Sequence, residues 1–228
     1  RAARVHYCPT PRARENLLQE GLAPEHVVVT GNTSMDTLRL AQDMSASRPE
    51  AEALREAATS SSFLVTLHRR ENQALLESDI LPGLLDVLTA VPDMRLVWVL
   101  HPGPVRQRLA PRLEGIARIR AVAPLDHVDL LRLLPRLGGV FTDSGGLSEE
   151  CAALGVPTLI LREATERVES LEGGNAALIG TSRASIVAET LPVLRNPAWM
   201  RAMQRPTPIY GDGFAAERIA AHLLETIR

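Results

Sequence analysis

Between residues 63 and 179 short apolar runs keep alternating with stretches of helical period, and this alternation leaves the chain very few folds. The runs are Phe63–Leu67, Arg95–Leu100, Ile119–Ala123, Gly138–Thr142, Thr158–Leu161 and Ala176–Ile179. Helical patterns fall between them at Leu75–Val91, Val105–Leu113, His127–Leu134 and Leu147–Leu154. Strands that are apolar on both faces and joined through helices predict a parallel sheet covered on both sides. The expected class is α/β, a doubly wound, Rossmann-like parallel sheet. In such a sheet ligands bind over the carboxyl ends of the strands, where the strand order reverses.

Ahead of that pattern lies a shorter one. Val5–Cys8 and His26–Thr30 read as strands around a helix at Pro11–Glu20, the first strand orphaned as an opening element. A helix starts over Met35–Leu40, and Asp43–Pro49 reads as a crossing loop. Residues 1–45 are therefore expected to be the end of one Rossmann-like domain with its connection, and 46–228 a second domain. The chain opens on Arg1 with no methionine, as a piece of a longer protein would.

Composition removes several classes of function. An apolar fraction of 45% over 228 residues supplies a packed core. The net charge of −2, with no basic run, argues against nucleic-acid or anionic-membrane partners. All 25 basic residues are arginine, which excludes a Schiff-base or P-loop lysine in this chain. Cys8 and Cys151 are far apart and lack metal-ligand spacing, so reduced thiols and a cytoplasmic protein without a metal site are expected. No run approaches the roughly 18 apolar residues of a membrane span.

The chemistry concentrates at the strand ends. After Gly138–Thr142 come Asp143, Ser144, Gly145 and Gly146, then the helical run from Leu147. Adjacent glycines let backbone approach a ligand, and a helix N-terminus attracts anions. Ser144 adds a hydroxyl donor, and Glu149 or Glu150 can reach a sugar hydroxyl beside a phosphate; the alternative is a turn that merely caps a helix. His68-Arg69-Arg70-Glu71-Asn72 and His101-Pro102-Gly103-Pro104 follow two other strands, so three loops converge on one rim. The His68 set suits diphosphate charge and proton handling, whereas His101 is read first as structural. Arg162, Glu163, Glu166, Arg167 and Glu169 form either a loop of mutual ion pairs or a fourth functional strand end. Asp212 is expected to cap a final helix whose apolar positions are Ile219, Leu223 and Ile227.

HRREN at 68–72, HP-x-P at 101–104, PLDH at 124–127, TDSGGLSEE at 142–150, LGVP at 154–157, LREATER at 161–167 and YGDG at 210–213 together resemble, in order and spacing, the non-hydrolysing UDP-N-acetylglucosamine 2-epimerases. The resemblance covers essentially the whole chain. It implies one half of a glycosyltransferase-B-type two-domain fold, namely the C-terminal UDP-binding domain plus the end of the N-terminal one. Position by position, Ser144, Gly145 and Gly146 would bind phosphates, Glu150 the ribose hydroxyls, and Arg70, Glu71 and Arg162 would belong to the substrate site. His68 would be catalytic, assisting departure of UDP, and Arg69 and His101 match a neighbouring regulatory site for a second UDP-sugar.

The implied reaction interconverts UDP-GlcNAc and UDP-ManNAc by eliminating UDP and adding it back at inverted C2, without metal or redox cofactor, and feeds cell-envelope polysaccharide. Its acids and bases would lie in the N-terminal domain, so this chain alone is expected to be inactive. Members are commonly homodimers through that domain, and this chain alone is expected to be monomeric. Two alternatives stay open: a hydrolysing relative that releases ManNAc, and a non-catalytic UDP-sugar-binding module. Where the family commonly has Tyr and Phe after PLD, this chain has His127 and Leu130, and Ser148 and Val168 depart from Gln and Pro. These changes spare the Ser-Gly-Gly corner and touch the expected uracil pocket.

Overall fold

The computed structural model describes residues 3–45 and 59–226. Two parallel sheets organise them. The smaller pairs β1 (His6–Cys8) with β2 (Val27–Val29), Tyr7 opposite Val28, through helix α1 (Pro11–Gln19). The opening strand is thus partnered, not orphaned. Thr10 starts α1 by accepting from Ala13 N at 3.0 Å, and Pro11 follows it at the first helical position, where a missing N–H costs nothing.

The larger sheet contains β3 (Ser62–Thr66), β4 (Arg95–Val99), β5 (Ile119–Val122), β6 (Gly139–Thr142), β7 (Thr158–Ile160) and β8 (Ala176–Leu178). Their order is β5-β4-β3-β6-β7-β8, every pair parallel. The chain steps outward from β3 to β5, crosses back, and steps outward again from β6 to β8. The reversal lies between β3 and β6, which are hydrogen-bonded neighbours. Their close approach depends on glycine: a Cβ on Gly139 would stand 2.7 Å from the Phe63 ring and 2.9 Å from Pro157 O.

Alternate strand residues feed two cores. Phe63, Val65, Leu96, Trp98 and Phe141 point to one face. Leu64, Val97, Val99 and Val140 point to the other. Full burial of each such side chain is worth roughly 1.5–3 kcal/mol, so both faces hold helices down. On the first face lie α3 (Arg70–Leu75), a wider turn over Leu76–Ile80, α4 (Leu81–Ala90), α5 (Pro104–Leu113), α9 (Arg183–Leu194) and α10 (Pro197–Met203). On the second lie α2 (Thr33–Ser45), α6 (His127–Leu133) and α7 (Gly145–Leu154). The short α8 (Val168–Glu172) follows β7, and α11 (Ala215–Thr226) ends the described chain.

Several boundaries differ from the sequence reading. The helix after β3 begins at Arg70 rather than Leu75, because Asn72 turns inward and its amide is held by Asp143 and Leu161 O. Its wide turn precedes Pro82, which has no N–H to continue the regular ladder. Gly145 and Gly146 lie inside the first turn of α7, not ahead of it. Three helices were not foreseen, α8, α9 and α10. The last two begin at caps: Ser182 accepts from Ser185 N at 3.1 Å, and Asn196 accepts from Ala198 N at 3.0 Å.

Helix α2 continues through Asp43, read as loop, to Ser45, and it buries Met35, Leu38 and Ala41 in the core shared with Leu147 and Cys151. The rest of that expected loop lies in residues 46–58, outside the described residues. Asp212 does not cap α11 as expected. Asp36 on α2 accepts from Ala215 N and Ala216 N at 3.0 and 2.9 Å, while Asp212 accepts from Phe214 N at 3.3 Å and pairs with Arg218. Arg218 also donates to Thr30 O, and Tyr7 meets His222, so α11 returns to the small sheet. Ile227, the last apolar position expected for it, is not among the described residues.

Candidate nucleotide site

Asp143 builds the corner. It directly follows β6 and is fully buried, and its carboxylate accepts from His68 N at 2.9 Å, Arg69 N at 3.0 Å and Asn72 Nδ2 at 3.0 Å. With Asn72 also donating to Leu161 O, one pair of side chains ties together the ends of β3, β6 and β7. Ser144 then caps α7: its Oγ accepts from Leu147 N at 3.4 Å, and its own N–H donates to Thr142 Oγ1 at 3.1 Å. Helix geometry leaves the N–H groups of Gly145 and Gly146 without intrahelical acceptors, at the positive end of the helix. A Cβ on Gly146 would meet nothing within 4 Å. The corner is therefore open at Gly146, whereas at Gly145 the Glu166 carboxylate, paired with Arg162 and Arg69, stands 3.2 Å from a Cβ position.

Beside it is a cavity of about 310 Å³, the lower end of the range for small-molecule sites. Its polar side chains are Thr66, His68, His101, Ser144 and Glu150, and Val99, Pro124, Leu125 and Leu130 make an apolar slot. His68 Nε2 lies 2.8 Å from Thr66 Oγ1. The His68 and His101 rings are in contact, centroids 4.2 Å apart. Burial, and then the charge of His68, hold the His101 pKa below the usual imidazole range. Both rings also line a second cavity of about 180 Å³ with Gln73, Pro102 and Gly103. The pair thus belongs to two adjoining spaces, whereas the sequence reading assigned one ring to each of two sites.

The two acidic residues on α7 diverge. Glu150 faces the cavity, and burial pushes its carboxyl up from its ordinary pKa while its hydrogen bond from His127 opposes the shift. Glu149 points away and is buried. It accepts from Asn32 Nδ2 at 2.8 Å, from Ser34 Oγ at 3.1 Å and from the Arg167 guanidinium.

Of the expected site residues, Ser144, Gly146, Glu150, His68 and His101 come together around the cavity, with Gly145 at the corner itself. Arg70 and Glu71 stand exposed on the first turn of α3, outside the cavity lining. Arg162 pairs with Glu166 at 2.6 Å. Arg69 donates to Asp143 O at 3.1 Å and to Glu166 at 3.2 Å, and it lines neither cavity. Besides Arg69 at Asp143 O, the Arg167 guanidinium approaches the corner, its Nε 3.6 Å from a Cβ position on Gly145. Sequence reasoning named Asp143, Arg167 and His127 without finding their roles: Asp143 was read only as part of the turn, Arg167 as a member of an ion-pair loop or a functional strand end, and His127 as a change in the expected uracil pocket. For Asp143 the signal was present: an acid placed between a buried strand and a Ser-Gly-Gly turn.

A doubly wound parallel sheet with a helix N-terminus and a cavity over the carboxyl ends of its strands defines an α/β domain of the Rossmann-like class. The UDP-N-acetylglucosamine 2-epimerase family model matches residues 1–224, and the chain belongs to that family. It is 38% identical over 224 residues to a probable UDP-N-acetylglucosamine 2-epimerase of Ralstonia solanacearum, covering 95% of this chain and 60% of that one. It is 32% identical to the UDP-N-acetylglucosamine 2-epimerase of Bacillus subtilis, covering 97% and 58%. Among solved structures, S. aureus MnaA with UDP is 32% identical at a TM-score of 0.90, covering 99% and 60%. The Neisseria meningitidis epimerase bound to UDP-GlcNAc is 28% identical at 0.88, covering 98% and 62%. These neighbours have the glycosyltransferase-B-type arrangement, and the chain spans about 60% of the length of its curated relatives. Among the described residues no helix is long and apolar enough to cross a membrane.

Proposed function

We propose that this chain is the UDP-binding part of a UDP-N-acetylglucosamine 2-epimerase, interconverting UDP-GlcNAc and UDP-ManNAc when the remainder of the enzyme is present. The observation that carries this reading is the Ser144-Gly145-Gly146 corner opening beside a cavity that holds His68 and Glu150. The diphosphate sits at the N-terminus of α7, where N–H groups and the dipole stabilise charge. Glu150 accepts from the ribose hydroxyls, and the base enters the slot of Val99, Pro124, Leu125 and Leu130. His68, 2.8 Å from Thr66 Oγ1, donates to the diphosphate as it departs, which lowers the barrier to elimination.

The sugar's C2 proton is handled by the N-terminal domain, and this chain alone turns nothing over. The His68–His101 pair, shared by two cavities, suits the regulatory UDP-sugar site. The whole enzyme is a cytoplasmic homodimer supplying cell-envelope polysaccharide precursors. Calorimetric titration of UDP, UMP and TDP tests the central claim: UDP binds best, and Ser144→Ala and Glu150→Ala each weaken it. A folded chain that ignores UDP would refute it.

A further inference from the structure

A side-chain hydrogen bond links the start of α6 to the second turn of α7. His127, the first residue of α6, places Nε2 2.7 Å from Glu150 Oε1. Neither helix needs this bond to begin. Asp126 already caps α6 by accepting from Asp129 N at 3.0 Å, and Ser144 caps α7. His127 does not line the cavity, whereas Glu150 does. The imidazole therefore reaches any bound molecule through the carboxylate.

A carboxylate has two oxygens and about four acceptor positions, and His127 occupies one on Oε1. The bond removes rotational freedom from a side chain that must otherwise be ordered when a ligand arrives. We propose that His127 is a positioning residue for nucleoside recognition, fixing the Glu150 carboxylate so that its remaining lone pairs face the vicinal hydroxyls of a ribose. This inference rests on the UDP reading of the cavity. The electrostatics point the same way. Burial raises the Glu150 pKa from its ordinary value, the hydrogen bond from His127 opposes that shift, and the adjacent Glu149 adds to it. Side chains at this position that cannot donate would leave Glu150 free to swing or to protonate.

The test is calorimetric titration of the 228-residue chain with UDP and with 2′-deoxy-UDP, in wild type, His127→Ala and His127→Gln, with thermal melts followed by circular dichroism. Losing one bond to a carboxylate costs about tenfold in affinity, so wild type prefers UDP over the deoxy ligand by roughly that factor. His127→Ala loses about five- to tenfold for UDP and little for 2′-deoxy-UDP, collapsing the preference. His127→Gln, which keeps an N–H donor, restores it. Equal losses for both ligands, no loss for either, or failure of Gln to restore the preference overturns the role of His127 and leaves the UDP site standing. A variant without a cooperative melt marks the contact as a support of the fold and overturns it too. Wild type that binds neither ligand brings down the UDP reading and this inference together.

Discussion

The two sides of helix α7 carry the same functional group in opposite circumstances. On the seam side, facing the turn before α2, Glu149 is buried and takes donors from Asn32, Ser34 and Arg167. On the cavity side, Glu150 is one residue further along and has His127 beside it and acceptor capacity to spare. A buried charge is tolerable only when paired and hydrogen-bonded, so the seam carboxylate is committed to the fold. The cavity carboxylate has yet to spend its bonds, which is what a ligand-binding group requires. Residue type and neighbourhood in sequence do not separate these roles; the donors that reach each oxygen do.

The largest expected effect breaks the seam. Glu149→Ala removes the buried acceptor shared by Arg167, Asn32 and Ser34; breaking a buried pair costs about 3–5 kcal/mol, and Glu166, 3.7 Å from the half-buried Arg167, holds the loss to the lower end of that range. Urea denaturation measures it, and a loss below about 1 kcal/mol would remove the distinction between the two sides. Next comes Asp143→Ala. Two backbone N–H groups and the Asn72 amide lose a buried acceptor, for about 2–4 kcal/mol, and the loop carrying His68 loses its anchor. UDP affinity is expected to fall with stability in this variant, even though Asp143 lines no part of the cavity.

Glu150→Gln is expected to behave in the reverse sense. Its folded-state pKa is raised, chiefly by burial, so the fold prefers the protonated form. The group's contribution to stability is complete below its ordinary pKa of 4.5 and is lost as pH rises through the folded value. Gln copies the protonated shape, so the variant matches wild type near pH 4 and equals or exceeds it at pH 7, while UDP affinity falls about tenfold. Melting temperatures at the two pH values read this directly. Wild type losing no stability relative to Glu150→Gln between them, with UDP affinity intact, would make Glu150 a seam residue like Glu149.

The sheet was legible because each strand is a continuous apolar run, and parallel pairing with helical crossovers follows from that pattern alone. The place of the corner was legible because Ser144, Gly145 and Gly146 stand between a buried strand and a helical run, while a capping turn and an anion site remained equal readings of that motif. What escaped was the side-chain wiring. That Asn72 turns inward, so that HRREN opens a helix, depends on Asp143 from a strand some seventy residues later. Arg162 and Arg167 sit in the same run, yet Glu166 takes one and the seam takes the other. Spacing along the chain carries no information about which acid reaches which base. The departure at His127 was visible, but its meaning needed Glu150 within hydrogen-bond distance.

The smallest effect tests the comparison within the seam itself. Asp36 and Asp212 both attend the start of α11, and by sequence Asp212 was the expected cap. Asp36 is nearly buried and accepts from two orphan N–H groups, so Asp36→Ala should cost about 1–2 kcal/mol, the upper range for a lost cap. Asp212 is exposed and pairs with Arg218, whose hydrogen bonds lower its carboxyl to about 2. A depressed carboxyl contributes stability above its ordinary value of 3.8 that is lost as pH falls toward about 2, and exposure to solvent screens that contribution. Asp212→Asn should therefore match wild type near pH 2 and lower the urea midpoint at pH 7 only slightly, well short of the loss in Asp36→Ala. If Asp212→Asn instead matched Asp36→Ala at pH 7, burial would not be what separates committed carboxylates from spare ones in this protein. The contrast drawn between Glu149 and Glu150 would then need another cause.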